Sequence, residues 1–297
     1  MYVRELTVLP SDASCRGELK LHGLLDCLQD TAGMAVSELD GSPTQVLARG
    51  YAWVILLYEV ELLRRLPALD DRFLVKTYHD MNHGYRTLRV FQVESPRGDL
   101  LAWAKTSWLL IDLAVGRPVR PAVHLPEFLT RDTAPIDPDF RAIPDFRSAA
   151  GEVRETVYPV RFHDLDANGH VNNAVYFEWV FEATPIDLMA YAPRTICASF
   201  RSSARWGDAL TLRVRELEDS AERTGEVRTF IYEVVEPSTV ERLRHAGGGK
   251  RSEALGRPET APDHCPGHHE RPFPAHSGRG HLGAGHPIRT HRTAGAG

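Results

Sequence analysis

The sequence has few cysteines, and no two are placed to work together. Cys15, Cys27, Cys197 and Cys265 are scattered with no CxxC spacing. That excludes a zinc or disulfide framework and reads as reduced thiols in a cytosolic protein. No apolar run approaches the roughly eighteen residues of a membrane helix. Met1-Tyr2-Val3-Arg4-Glu5 lacks the charged-then-apolar order of a signal peptide. The expectation is therefore a cytoplasmic chain with no membrane span. A basic excess is missing too. The formal net charge is −5, and residues 1–244 hold 28 basic against 36 acidic residues, a net of −8. Nothing in that balance favours nucleic acid. What remains, 42% apolar and 25% charged residues over 297 positions, is an ordinary globular composition with room for two domains.

Chemistry-bearing residues concentrate in one stretch, Asp164-Leu165-Asp166-Ala167-Asn168-Gly169-His170-Val171-Asn172-Asn173. It lies between a strand-like run, Val153 to Phe162, and a run with helical spacing at Val175, Tyr176, Trp179, Val180 and Ala183. A strand turning into a helix sets polar side chains beside unpaired N–H groups at the positive end of the helix dipole. That is a place suited to developing negative charge. Asp164, Asp166, Asn168 and Gly169 also fit the first positions of an EF-hand calcium loop, but its twelfth position needs a bidentate Glu and here is Val175. A polar turn with Asn173 as helix cap is the plainest alternative, and it accounts for one residue of the cluster.

The string Asp-Leu-Asp-x-Asn-x-His-Val-Asn-Asn-x-x-Tyr-x-x-Trp, ending at Tyr176 and Trp179, resembles the signature of the acyl-acyl-carrier-protein thioesterases. The resemblance implies an α+β chain built as a tandem (double) hotdog, each repeat an antiparallel sheet wrapped around a central helix. It implies hydrolysis of fatty acyl-acyl-carrier-protein to free fatty acid and carrier protein in fatty acid biosynthesis. Asp166, Asn168 and His170 would be the catalytic positions, with no cofactor and no metal. The partner would be acyl carrier protein, with room for a homodimer. An acidic carrier would dock on a local basic patch against an unfavourable overall field.

The order of elements supports two repeats. Met1 to Pro10 alternates weakly, as a strand does. Leu24, Leu25, Leu28, Ala32, Ala35, Val36 and Leu39 have helical spacing with a broad apolar face, closed by Asp40-Gly41. That face is apolar enough to require a sheet around it. Strand-like runs follow at Tyr51 to Leu63, Phe73 to His79, Tyr85 to Glu94 and Leu100 to Asp112. Residues 1–115 form the first repeat. Residues 116–150, with Pro118, Pro121, Pro126, Pro135, Pro138 and Pro144, read as a linker. Residues 151–244 form the second repeat, with strands near Ile196 to Ser203, Ala209 to Leu217 and Glu226 to Glu236, and a helix that Pro185 ends or kinks.

Sliding the first half by 152 residues sets Asp12 on Asp164, Gly17 on Gly169, Leu19 on Val171, Leu24 on Tyr176, Leu28 on Val180 and Asp30 on Glu182. The turn and buried helix face match. The chemistry does not: Ser14 falls opposite Asp166, Arg16 opposite Asn168 and Glu18 opposite His170. Trp206-Gly207-Asp208 likewise resembles Leu69-Asp70-Asp71. One repeat carries the polar site and the other is degenerate.

Two features depart from the family. Its members carry a Glu three residues after an aromatic in the first strand beyond the second helix. With Phe200 as that aromatic, the position holds Ser203. Residues 245–297 contain eight His, eleven Gly and six Pro with almost no aliphatics, a composition that cannot offset its ordering entropy and reads as a disordered tail. Its His264, His268, His269 and His276 form at most an adventitious metal cluster. The abrupt change points to a reading-frame change or truncation that removes the family's last strand.

The chemistry expected is attack on a thioester by or through Asp166. His170 would polarise the carbonyl or stabilise the leaving thiolate, and Asn168 would hold the water or the imidazole. Backbone N–H groups near Gly169 to Asn172 would serve as the oxyanion pocket. Trp53, Ile55 and Trp103 are candidates to line the acyl chain. Two alternatives stand beside this one: the same hydrolysis on acyl-CoA, and an acyl-binding hotdog protein impaired in catalysis.

Overall fold

The structure, a computed structural model, describes residues 1–38, 41–126, 136–189, 192–217 and 228–235. These lie in one compact unit, Met1–Gly248. The expectations for the tail and for the chain after Glu236 fall outside the described residues.

Strand β1 (Tyr2–Thr7) leads through a closed loop into helix α1 (Leu21–Ser37). One side of α1 buries Leu24, Leu25, Leu28, Thr31 and Ala32, three or four residues apart as a single helical stripe requires. The stripe is covered by a sheet whose long strands are β2 (Tyr51–Leu62), β3 (Arg72–His83), β4 (Arg86–Glu94) and β5 (Leu100–Asp112). They contribute alternate residues to the same core: Phe73 and Val75, Phe91 and Val93, Ala102 and Ala104, Tyr58 and Val60. A bulge between Ile55 and Leu57 shifts the alternation of β2, so that Ile55 and Tyr58 both join this core. Between α1 and β2 lies a short helix that the periodicity did not announce, α2 (Pro43–Ala48), started by a Ser42–Gln45 capping box.

The second half repeats this plan with β7 (Arg154–Pro159), α4 (Asn173–Ala183), β8 (Thr195–Ser199), β9 (Ala209–Leu217) and β10 (Thr229–Val235). Strand β7 starts 152 residues after β1, and α4 starts 152 residues after α1. The isolated bridge Ala13↔Leu19 recurs at the same offset as Leu165↔Val171. The turn before β3 recurs before β9. Asp71 accepts from the Ala68 N–H and Asp208 from the Arg205 N–H, while Asp70 and Gly207 both take a positive φ. An antiparallel sheet curled round one helix, present twice, is the double hotdog.

The larger sheet runs β1-β3-β4-β5-β2-β8, with β6 (Arg117–Val119) added on β5; the smaller runs β10-β9-β7. Every pairing is antiparallel. By the order of the first repeat, a counterpart of β5 would lie between β10 and β8. Among the described residues no strand occupies that position, so β8 is carried by β2 of the first repeat.

The proline-rich stretch is more structured than a linker. It opens with β6 and α3 (Pro121–His124), and Ile136 to Arg141 strap the outer face of the larger sheet. The Ile136 N–H donates to Asp80, the Arg141 side chain pairs with buried Glu59, and Lys105 donates to the carbonyls of Asp137 and Asp139 under the ring of Phe140. Glu59, Asp80 and Lys105 are buried charges that only such partners make tolerable. Trp103, expected beside the acyl chain, sits on this outer face and donates to Glu61. Its neighbours Ala102 and Ala104 face the helix instead. The strap yields a prediction. Lys105→Met keeps the volume but loses two carbonyl partners. Stability should fall by about 1–3 kcal/mol, and limited proteolysis should cut earlier within residues 136–146. Cleavage at the unsubstituted rate would mean the strap is held elsewhere.

Candidate active site

The polar stretch forms a loop closed on itself. After a single 3-10 turn, Phe162–Asp164, the chain runs out along Leu165 and returns along Val171. Asp166 N–H donates to the His170 carbonyl (2.7 Å), Gly169 N–H to the Asp166 carbonyl (3.0 Å) and Asn172 N–H to the Asp164 carbonyl (2.8 Å). Gly169 sits at φ 73°, which a side chain would strain. The base of the loop is pinned by Asp164, buried at 2% exposure, which accepts from the Arg161 N–H and from its guanidinium (2.6 to 3.2 Å). That carboxylate beside Arg161 raises the guanidinium further above its ordinary value.

The three expected residues are brought together here. Asp166 and Asn168 are exposed and His170 is half-buried. Asp166 Oδ1 accepts from the N–H groups of Asn168 (2.8 Å) and His170 (3.2 Å), and its Oδ2 from the Asn168 carboxamide (3.2 Å). Asn168 thus holds the carboxylate. Among the described residues the His170 ring has no hydrogen-bond partner.

The first repeat supplies an internal control. Ser14 N–H donates to the Glu18 carbonyl (2.7 Å), Gly17 N–H to the Ser14 carbonyl (2.9 Å), and Lys20 N–H to the Asp12 carbonyl (2.8 Å), the same three closures. Gly17 takes φ 74°. Where Asp166 accepts from Asn168, the Ser14 hydroxyl accepts from Arg16 (3.3 Å). The loop therefore closes with a neutral hydroxyl, and the charge of Asp166 is surplus to folding. At the position of His170, Glu18 forms ion pairs with Arg16 and Arg65. The imidazole has no such structural duty.

Other motif residues are explained by packing. Asn172, not Asn173, is the cap of α4, its side chain accepting from the Ala174 N–H (3.1 Å). Trp179 is buried in the second core and stacks on Tyr158 at 5.5 Å between ring centres. Tyr176 packs edge-on to Trp179 and Phe200, and its hydroxyl takes a backbone hydrogen bond from Ala204. Burial raises the Tyr176 phenol above its ordinary value. The Ala204 carbonyl in turn accepts from the Val171 N–H (2.9 Å). Ser203, exposed, is the residue just before Ala204, so the position expected to hold Glu does border the loop, past the end of β8.

The expected oxyanion pocket is corrected. The N–H groups of Gly169, His170, Val171 and Asn172 are all engaged, by Asp166, Ala204 and Asp164. The first N–H with no acceptor among the described residues is that of Asn173, at the positive end of α4. Among the described residues no group of three His, Cys, Asp or Glu is gathered to hold a metal ion. Position twelve of the calcium pattern, Val175, lies inside α4.

Sequence reasoning missed Asp26. This α1 carboxylate accepts from the Asn172 side chain (3.1 Å) across 146 residues of sequence. Helical spacing marked α1 only by its apolar face, and the repeat offset sets Asp26 opposite Glu178, so no local signal pointed to the contact.

Comparisons with known proteins place the chain. The model of the acyl-ACP thioesterase N-terminal domain matches residues 1–124, and that of the C-terminal domain matches residues 147–236. An acyl-[acyl-carrier-protein] hydrolase, FATB2, chloroplastic, of Cuphea viscosissima is 27% identical over 169 residues. The match covers 54% of this chain and 39% of that protein, so the chain spans well under half of that relative's length. A Lactobacillus plantarum protein solved as a candidate oleoyl thioesterase superposes with a TM-score of 0.71 at 19% identity, over 80% of this chain and 91% of its own. The 12:0-ACP thioesterase from Umbellularia californica superposes with a TM-score of 0.63 at 16% identity, over 79% and 94%. With both domain models matched in order on a double hotdog that presents the signature loop, the chain belongs to the acyl-ACP thioesterase family.

Proposed function

We propose that this chain hydrolyses the thioester of a fatty acyl group on acyl carrier protein, releasing free fatty acid and carrier protein. One observation carries the reading. The loop at residues 165–171 has the same backbone as its counterpart at 13–19, yet carries a carboxylate and an imidazole where the counterpart carries a serine and an ion-paired glutamate. Residues 1–115 then serve as scaffold and acyl lining, and residues 151–244 carry the chemistry.

In the reaction, water adds to the thioester carbonyl carbon as Asp166 takes its proton. A base in this role contributes about 10²–10⁴ in rate. The carbonyl electrons move to oxygen. The Asn173 N–H and the positive end of α4 stabilise that oxyanion, a donor worth roughly 3–4 kcal/mol. Collapse re-forms the carbonyl and breaks the C–S bond, and the departing thiolate gains a proton by way of His170. Asn168 keeps Asp166 in place throughout. The acyl chain lies between α1 and the larger sheet, where Ile55 faces the apolar core.

Cys15, Cys27 and Cys197 are free thiols, which suits a reducing compartment such as the cytoplasm. Among the described residues no helix is long and apolar enough to cross a membrane. The direct test is thiol release from one acyl chain carried on acyl carrier protein and on coenzyme A. Faster turnover of the carrier-protein thioester is expected. A preference for coenzyme A would move the reading to the second thiol, and tight acyl binding without thiol release would make the chain a silent binder.

Three substitutions sharpen this. Asp166→Asn keeps an oxygen for the Asn168 and His170 N–H groups, gives up the bond from the Asn168 carboxamide and removes the base, and hydrolysis should drop by about 10²-fold or more. Ser14→Ala in the other repeat should leave it little changed. Equal activity of the two variants would show the site to be elsewhere. Ser203→Glu, beside the residue that anchors Val171, should raise turnover or leave it unaltered. A clear loss in a folded Ser203→Glu protein would show that this loop orients water without that carboxylate.

A further inference from the structure

Asn172 ends the polar loop and starts α4, and both ends of its carboxamide are committed. Its Oδ1 accepts from the Ala174 N–H (3.1 Å), and its Nδ2 donates to Asp26 Oδ1 of α1 (3.1 Å). Only one orientation of the amide satisfies a carboxylate on one side and an N–H on the other. Capping alone needs the first of these bonds. The second crosses from one repeat to the other.

The environment of Asp26 is not that of a surface acid. It is half-buried beside α4. Burial raises its pKa above the usual value, the Asn172 hydrogen bond and His22 counter that, and Asp30 and Glu178 add to it. The Tyr58 hydroxyl, 1% exposed and with no hydrogen-bond partner among the described residues, lies within reach of its charge. The Tyr58 ring packs edge-on against Phe177 of α4 (5.9 Å). Half-burying a carboxylate costs free energy, which the Asn172 hydrogen bond offsets. The repeat symmetry shows that the arrangement is one-sided. The residues equivalent to Asp26 and Asn172 are Glu178 and Lys20, and the Lys20 ammonium donates to the Ser11 carbonyl.

We propose that Asp26 of the first repeat is a positioning residue for the site in the second. By holding the Asn172 carboxamide it fixes the junction between the loop and α4, and so aims the Asn173 N–H and the His170 ring at a common point. This rests on the thioesterase reading. Asp26 does not touch the reacting atoms. Its part is to remove rotational freedom from the cap, whose small displacements move both groups together. Misplacement of about 1 Å is enough to cost on the order of 10²-fold in rate.

The test uses the full chain with dodecanoyl- and palmitoyl-carrier protein. Asp26→Leu should lower kcat by roughly 10- to 100-fold with KM little changed, while Asp26→Asn, which keeps an acceptor for Asn172, should retain most of the turnover. Asn172→Ser, still a good helix cap, should cost as much as Asp26→Leu, and the double variant should cost no more than either, since both remove one contact. Amide exchange should quicken at residues 166–173 in Asp26→Leu and stay slow in Asp26→Asn. If Asp26 merely cements α1 to α4, Asp26→Leu lowers the thermal midpoint while kcat holds, and the proposal is overturned. If the unsubstituted chain releases no thiol, the thioesterase reading fails separately. The exchange measurement then decides the positioning role, which unchanged exchange at 166–173 would overturn.

Discussion

Everything at the candidate site depends on the closure of one seven-residue loop. Leu165 and Val171 bridge, Asn172 N–H returns to the Asp164 carbonyl, and Arg161 with buried Asp164 locks the base. Because these bonds are made by backbone and by one ion pair to a buried carboxylate, the loop needs nothing from its tip. Asp166, Asn168 and His170 are therefore released from structural duty, except for the carboxylate's turn-forming bonds, of which Ser14 makes the one from the N–H two residues on in the other repeat. A polar group that is not required by folding, held rigidly beside an unused N–H at a helix start, is what acyl-transfer chemistry asks for.

How much of this was legible in the sequence follows from which forces are local. The 152-residue offset could be found by hand because the loop is specified by a glycine with positive φ, a short polar acceptor and the onset of an apolar stripe. All three leave marks within a few residues. The strands β2, β5 and β9 were visible for the same reason, as long runs between turn residues. What escaped depends on distant partners. The Asp26–Asn172 bond joins two helices through side chains alone. The strap at 136–141 is a run of irregular backbone whose order comes from Glu59, Asp80 and Lys105, each far away in sequence. Trp103 was misjudged because an aromatic in an apolar strand looks like core, whereas alternation with Ala102 and Ala104 turns it outward to Glu61. The N–H groups of Gly169 to Asn172, one to four residues before that of Asn173, looked free because only the hydrogen-bond pattern reveals which N–H groups the loop has already used.

The two repeats differ in how their sheets are completed. The first has five antiparallel strands, four of them long, and a fully enclosed helix stripe. The second has β7, β9 and β10 on one side of α4, while β8 is paired to β2. Helix α4 reflects this divided setting. Ala174 and Phe177 contribute to the first core, whereas Trp179, with Tyr176 and Val180 against it, belongs to the second. A helix that is apolar toward two cores cannot be stable on either alone. The second repeat is thus a completion of the first as much as a domain in its own right.

That dependence reaches the candidate site by two independent routes. The Val171 N–H is held by Ala204, which follows β8, and β8 is carried on the sheet of the first repeat through register pairs from Leu57↔Ser199 to Glu61↔Thr195. The Asn172 carboxamide is held by Asp26, on the helix that this same sheet encloses. The residues on either side of that junction, His170 and Asn173, are consequently fixed from the half of the molecule whose own loop carries neither the carboxylate nor the imidazole. A duplicated domain that keeps its polar loop in one copy can discard the other loop's side chains. It cannot discard the other copy's sheet and helix without releasing both anchors at once.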